Sequence, residues 1–214
     1  MAHDTRTGPR DVFLQLLIVI ALYLSAVHLG ILCYQFINIA FPDPLTGVYA
    51  VHATQPIRWA IAMLVVVFPV LVWSSVRQQR LLTDRSEQRK LLTRRWLLHL
   101  TLFITALVII GDLVALIRGF LEGELTIRFA LKTLTVFAIS TGVLRYVLWD
   151  LRSDDDPTIV RRMRRFGYAV TCVVVAAVIA GFILAGSPQS ERLRRFDDQR
   201  VNELQNIQAQ IVDS

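Results

Sequence analysis

Five apolar runs dominate this sequence: approximately Val12–Phe41, Ile57–Val76, Trp96–Ile117, Ile127–Trp149 and Phe166–Ala185. Each is long enough to cross a hydrocarbon core of about 30 Å, which takes roughly 20 helical residues. Inside lipid the backbone has no water to bond, so each run must close its own hydrogen bonds, and a helix does so. The predicted fold class is therefore all-α, a polytopic transmembrane helix bundle of five spans. Composition agrees: 54% of residues are hydrophobic and the mean hydropathy is +0.50. A soluble domain has roughly 45–50% apolar residues even with glycine counted.

The first run is too long for a removable signal peptide, whose apolar region is about 7–15 residues, and it lacks a small-residue cleavage site. It is expected to stay in the membrane. Charge then orients it. Arg6 and Arg10 precede the first run, and "RQQRLLTDRSEQRKLLTRR" between the second and third carries six arginines and Lys90. Arg145, Arg152, Arg161, Arg162, Arg164 and Arg165 surround the fourth connection. Fifteen of the 23 basic residues thus fall on one side, and short basic loops stay cytoplasmic. The amino terminus is expected inside and the tail from Ser187 outside.

The connections leave no segment near the roughly 40 residues that an unaided domain needs. Any chemistry must use groups in the bundle or at its rim, and an enzyme is the less favoured reading. The chain divides into a four-helix region (1–152), a fifth transmembrane helix (157–187) and a C-terminal extramembrane segment (188–214). Leu204, Ile207 and Ile211 give that segment the spacing of an amphipathic helix, and the pattern is still running at Ser214, as in a truncated tail. Pro56 and Pro157 sit at expected helix starts, and Pro69 falls mid-span, where a kink is expected. The net charge of +6 and pI near 9.9 are explained by spans that need orienting and by attraction to membrane lipids. No nucleic-acid module is present. HExxH, GxxxxGK[ST] and GxSxG are all missing. His28 and His99 do not share a depth, and His3 and His52 lie outside the spans, so no pair suits a haem. Cys33 and Cys172 lie at opposite depths and read as packing residues. Neither a cofactor nor a metal site is expected.

Polar residues inside the spans need their own account. Asp112 lies in "IIGDLVAL", ten residues before Glu122, and Lys132 lies ten after it. Equal distance from the turn predicts equal depth, and a facing ammonium offsets much of the cost of an intramembrane carboxylate. Thr101 and Thr105 share the Asp112 stripe, while Arg128 and Thr135 share that of Lys132. On the first span His28, Gln35 and Asn38 recur at spacings of seven and three. Together Asp112, Lys132, His28, Gln35 and Asn38 form a candidate polar cluster. It reads either as interhelical hydrogen bonding, worth about 0.6–2 kcal/mol per bond, or as a relay or binding site for an ion, proton or small polar ligand. In the fifth span Ala177, Gly181 and Ala185 place a small residue every four positions, a ridge for close contact with another span or another copy.

The stretches "PRDVFLQLL", "FINIAFPDPL", "IRWAIAMLVVVFPV", "LTLFITALVIIGDLVALI", "GELTIRFALK" and "RYVLWDLR" together resemble one uncharacterised family of bacterial membrane proteins. It is the domain-of-unknown-function family numbered five-six-seven-one. The resemblance runs from about Pro9 to Arg152 and implies a bacterial cytoplasmic membrane location. It supplies no activity, ligand or catalytic residue. The functional expectation is a structural or interaction role with lipids, a homo-oligomeric copy or another membrane protein as partner. The alternative is a small ion- or proton-coupled protein that uses the polar cluster.

Overall fold

A computed structural model describes residues 9–42, 54–84, 92–121, 126–152 and 157–185, with Arg200, Glu203 and Gln208. Five helices and no strands occur among the described residues: α1 (Pro9–Ala40), α2 (Thr54–Asp84), α3 (Leu92–Leu121), α4 (Ile127–Arg152) and α5 (Pro157–Ala185). Each contains a stretch long and apolar enough to cross a membrane: Val12–Ala40, Gln55–Gln78, Trp96–Leu121, Ile127–Leu151 and Arg161–Ala185. Nearly all of the amphipathic tail helix expected after Ser187 lies outside the described residues. Arg200, Glu203 and Gln208 are helical and exposed.

Local chemistry sets the helix ends. α1 and α5 both open on proline, which has no N–H to leave unsatisfied in a first turn. α1 closes with Phe41 N–H donating to the Ile37 carbonyl at 3.0 Å, just before Pro42 bars continuation. At the start of α4 the Thr126 hydroxyl accepts from Phe129 N–H at 3.2 Å, the bond of an N-cap. α2 remains one helix through Pro69.

α1 is the hub and touches all four other helices, while its most extensive partner is α2. The hydrophobic core lies where α1, α2 and α5 meet. Ile57, Ala60, Ile61, Leu64 and Phe68 form one face of α2 at three- and four-residue spacing. They pack with Leu32 of α1 and with Val174 and Ala185 of α5. Gly181 allows this approach, because a Cβ there would lie 2.9 Å from Ile61 Cδ1 and 3.2 Å from Leu32 Cδ1. α3 and α4 form a hairpin set against α1. Within it the Phe129 ring lies over Gly119, where a Cβ would fall 2.7 Å from the ring. The hairpin is thinly covered: 11% of the most apolar stretch of α3 and 6% of that of α4 are buried, against 28% for α1 and for α2.

Candidate functional site

Two groups of polar residues lie one toward each end of the bundle. At the end holding the start of α4, α1 and α4 run antiparallel and meet through polar side chains. Arg128 Nη2 donates to Asn38 Oδ1 at 3.1 Å, and Asn38 Nδ2 donates to Gln35 Oε1 at 3.4 Å. One turn deeper on each helix, Lys132 Nζ lies 5.6 Å from the centre of the Tyr34 ring, a cation–π contact. Asp112 of α3 lies within electrostatic reach of the same tyrosine, and its Oδ2 is buried without a hydrogen-bond donor.

Counting from the turn sets Asp112 and Lys132 at equal depth as an expected pair. Lys132 contacts the Tyr34 ring, and among the described residues no ion pair joins it to Asp112.

His28 is buried in the middle of α1, and its Nδ1 donates to the Leu24 carbonyl at 2.7 Å. That bond stays within its own helix. The threonines behave alike. Thr101 donates to the Leu97 carbonyl at 2.9 Å, Thr105 to Thr101 at 2.7 Å and Thr135 to Leu131 at 2.8 Å. Tyr23 of α1 adds a link between helices, donating to the Thr101 carbonyl at 3.4 Å. The small-residue ridge of α5 meets the core: Gly181 lies against Ile61 and Leu32, Ala185 is buried, and Ala177 packs beside them. The Ala185 carbonyl accepts from Arg58 Nη2 at 3.0 Å, so the start of α2 satisfies the end of α5.

The second polar group lies at the other end, among the starts of α1 and α3 and the ends of α2 and α4. Gln15, Ser75, Gln78, Thr101, Tyr146 and Asp150 line a small cleft. Gln15 is buried, and Gln78 Nε2 donates to its Oε1. Nothing in the pattern of single polar residues marked this cleft. Its members become neighbours only when four helices are placed together. Tyr34, by contrast, carried a faint signal, because it lies four residues before Asn38 on one face of α1. Among the described residues no group of three or more His, Cys, Asp or Glu side chains could hold a metal ion.

A bundle of five such helices, with polar groups bonded largely within or between its own elements, is the architecture of a multi-pass integral membrane protein. The chain matches the family described as Domain of unknown function (DUF5671) over residues 11–147 and belongs to that family. The match covers α1, α2, α3 and most of α4, and α5 lies beyond it. No curated protein and no solved structure matches the chain.

Proposed function

We propose that the protein works in the bacterial cytoplasmic membrane as an interaction or assembly component, with its amino terminus cytoplasmic and α3 as the contacting helix. The exposed face of α3 carries the reading. Leu100, Phe103, Leu107, Ile110, Val114, Ile117 and Leu121 are all exposed and alternate at spacings of three and four. That is the 3.5-residue repeat by which one helix packs along another as a coiled-coil seam. A second copy of the chain suits it best, since a seam of this kind complements itself when two copies of α3 lie parallel. Single cysteines along α3, in protein lacking Cys33 and Cys172, test it by oxidation in native membranes. Positions 103, 107, 110, 114 and 117 should give a disulfide-linked dimer, and 108 should not. Equal yields at seam and off-seam positions, or no dimer anywhere, would show that this face meets only lipid.

The buried Asp112 Oδ2 that lacks a donor favours a second reading, coupling to a proton or ion at the Asp112–Tyr34–Lys132 site. Reconstituted vesicles would decide it. Flux above that of empty vesicles, lost in Asp112→Asn, supports coupling, and equal flux in both proteins removes it.

A further inference from the structure

We propose that the seam between α4 and α5, at the end of the bundle rich in arginine, seats the phosphate of an anionic phospholipid headgroup, with Arg145 as its deepest cation. The seam is built from aromatic contacts. Trp149 of α4 meets Phe166 of α5 edge to face, with centroids 5.6 Å apart and planes at 87°. Phe166 also reaches Gly142, where a Cβ would meet its Cζ at an ordinary contact distance of 3.7 Å. Gly142, Arg145 and Trp149 are spaced by three and four residues, so Arg145 projects from the face that carries this seam. Its guanidinium carbon lies 4.6 Å from the centre of the Trp149 ring.

Arg145 is exposed and lies inside the span Ile127–Leu151, six residues or about 9 Å of helix short of its end. A guanidinium at such a place is costly unless it reaches water or an anion. Trp149 directs it toward the rim, as long basic side chains extend to the interface. Among the described residues no carboxylate reaches it. Asp150, the nearest carboxylate along α4, lines the polar cleft instead. Arg162, one turn before Phe166 on α5, is exposed and adds a second cation at the rim. Two guanidiniums at different heights about an aromatic pair suit a phosphate entering sideways from the bilayer. A planar guanidinium also grips a phosphate with two parallel donors.

Fluorescence of Trp149 reads the site directly in the full chain once Trp59, Trp73 and Trp96 are replaced by phenylalanine. Vesicles containing brominated phosphatidylglycerol are compared with vesicles containing brominated phosphatidylcholine. The anionic lipid should quench Trp149 more strongly at equal mole fraction. Arg145→Gln should reduce the relative affinity about fivefold, the worth of one basic side chain near a membrane surface. Arg145→Lys should lose part of it, and Arg161→Gln, which lies off the seam, should leave it unchanged. Unaltered quenching by the brominated phosphatidylcholine verifies that each variant is inserted. Equal quenching by the two lipids in the parent protein overturns the site. An Arg161→Gln effect as large as that of Arg145→Gln reduces it to diffuse surface attraction. Loss of the preference on adding inorganic phosphate would assign the arginines to a soluble anion instead.

Discussion

Replacing Gly181 by alanine sets two effects of known sign against each other, and the structure decides which wins. In a helix interior alanine is favoured over glycine by roughly 0.5–1 kcal/mol, because glycine loses more backbone entropy. At Gly181, however, the new methyl would lie 2.9 Å from Ile61 Cδ1, 3.1 Å from Ile61 Cγ1 and 3.2 Å from Leu32 Cδ1. Ile61 is 3% exposed and Leu32 is 0% exposed, so neither side chain can swing into open space. Overpacking of this kind costs about 1–3 kcal/mol. Gly181→Ala should therefore range from neutral to destabilising by about 2 kcal/mol. Gly111 is the control, because nothing lies within 4 Å of a Cβ built there. Gly111→Ala should show only the favourable effect. Ile61→Val removes the closest atom and alone costs about 0.5–1.5 kcal/mol. Combined with Gly181→Ala it should cost less than the sum of the two single changes, because the closest of the three contacts is gone. Denaturant unfolding of all four variants in one detergent measures these differences. If Gly181→Ala stabilises as much as Gly111→Ala and the cycle is additive, α5 does not pack on Ile61 as described.

Further expectations follow from the polar contacts. Tyr34→Leu should lower stability by about 0.5–2 kcal/mol through loss of the cation–π contact with Lys132, whereas Tyr34→Phe keeps the ring and should cost much less. In double-mutant cycles Lys132 should couple to Tyr34 more strongly than to Asp112; a dominant Asp112 coupling would restore the direct ion pair. Arg58→Gln should cost about 1–2 kcal/mol by releasing the Ala185 carbonyl, with hydrogen exchange rising first at the end of α5.

Hydropathy carried most of the fold, since a run that must satisfy its own backbone in lipid has little choice of structure. Hydropathy did not single out the core face of α2: Ile57, Ile61, Leu64 and Phe68 stand at helical spacing, but Trp59, Val65, Val66 and Val72 of the same helix are as apolar and exposed. Contacts between helices were hidden too, because sequence spacing sets which residues share a face but not how far one helix slides along another. Counting residues from the turn set Asp112 opposite Lys132, but it could not show that the Tyr34 ring of a third helix lies 5.6 Å from Lys132 Nζ. The Gln15–Gln78 bond was equally hidden, joining two unremarkable polar residues 63 positions apart.

The number of crossings is the claim on which the rest depends. In protein lacking Cys33 and Cys172, a single cysteine is placed at Gln79, near the end of α2, or at Gln208, beyond α5. Intact cells are then treated with a membrane-impermeant thiol reagent, before and after permeabilisation. If α3, α4 and α5 each cross, the two positions lie on opposite sides. With the amino terminus cytoplasmic, Gln208→Cys should label in intact cells and Gln79→Cys only after permeabilisation. The reverse pattern would invert the protein in its membrane but keep an odd number of crossings between the two positions. Equal labelling of both in intact cells, or protection of both, would mean that one of those helices does not cross, and the bundle described here would be contradicted.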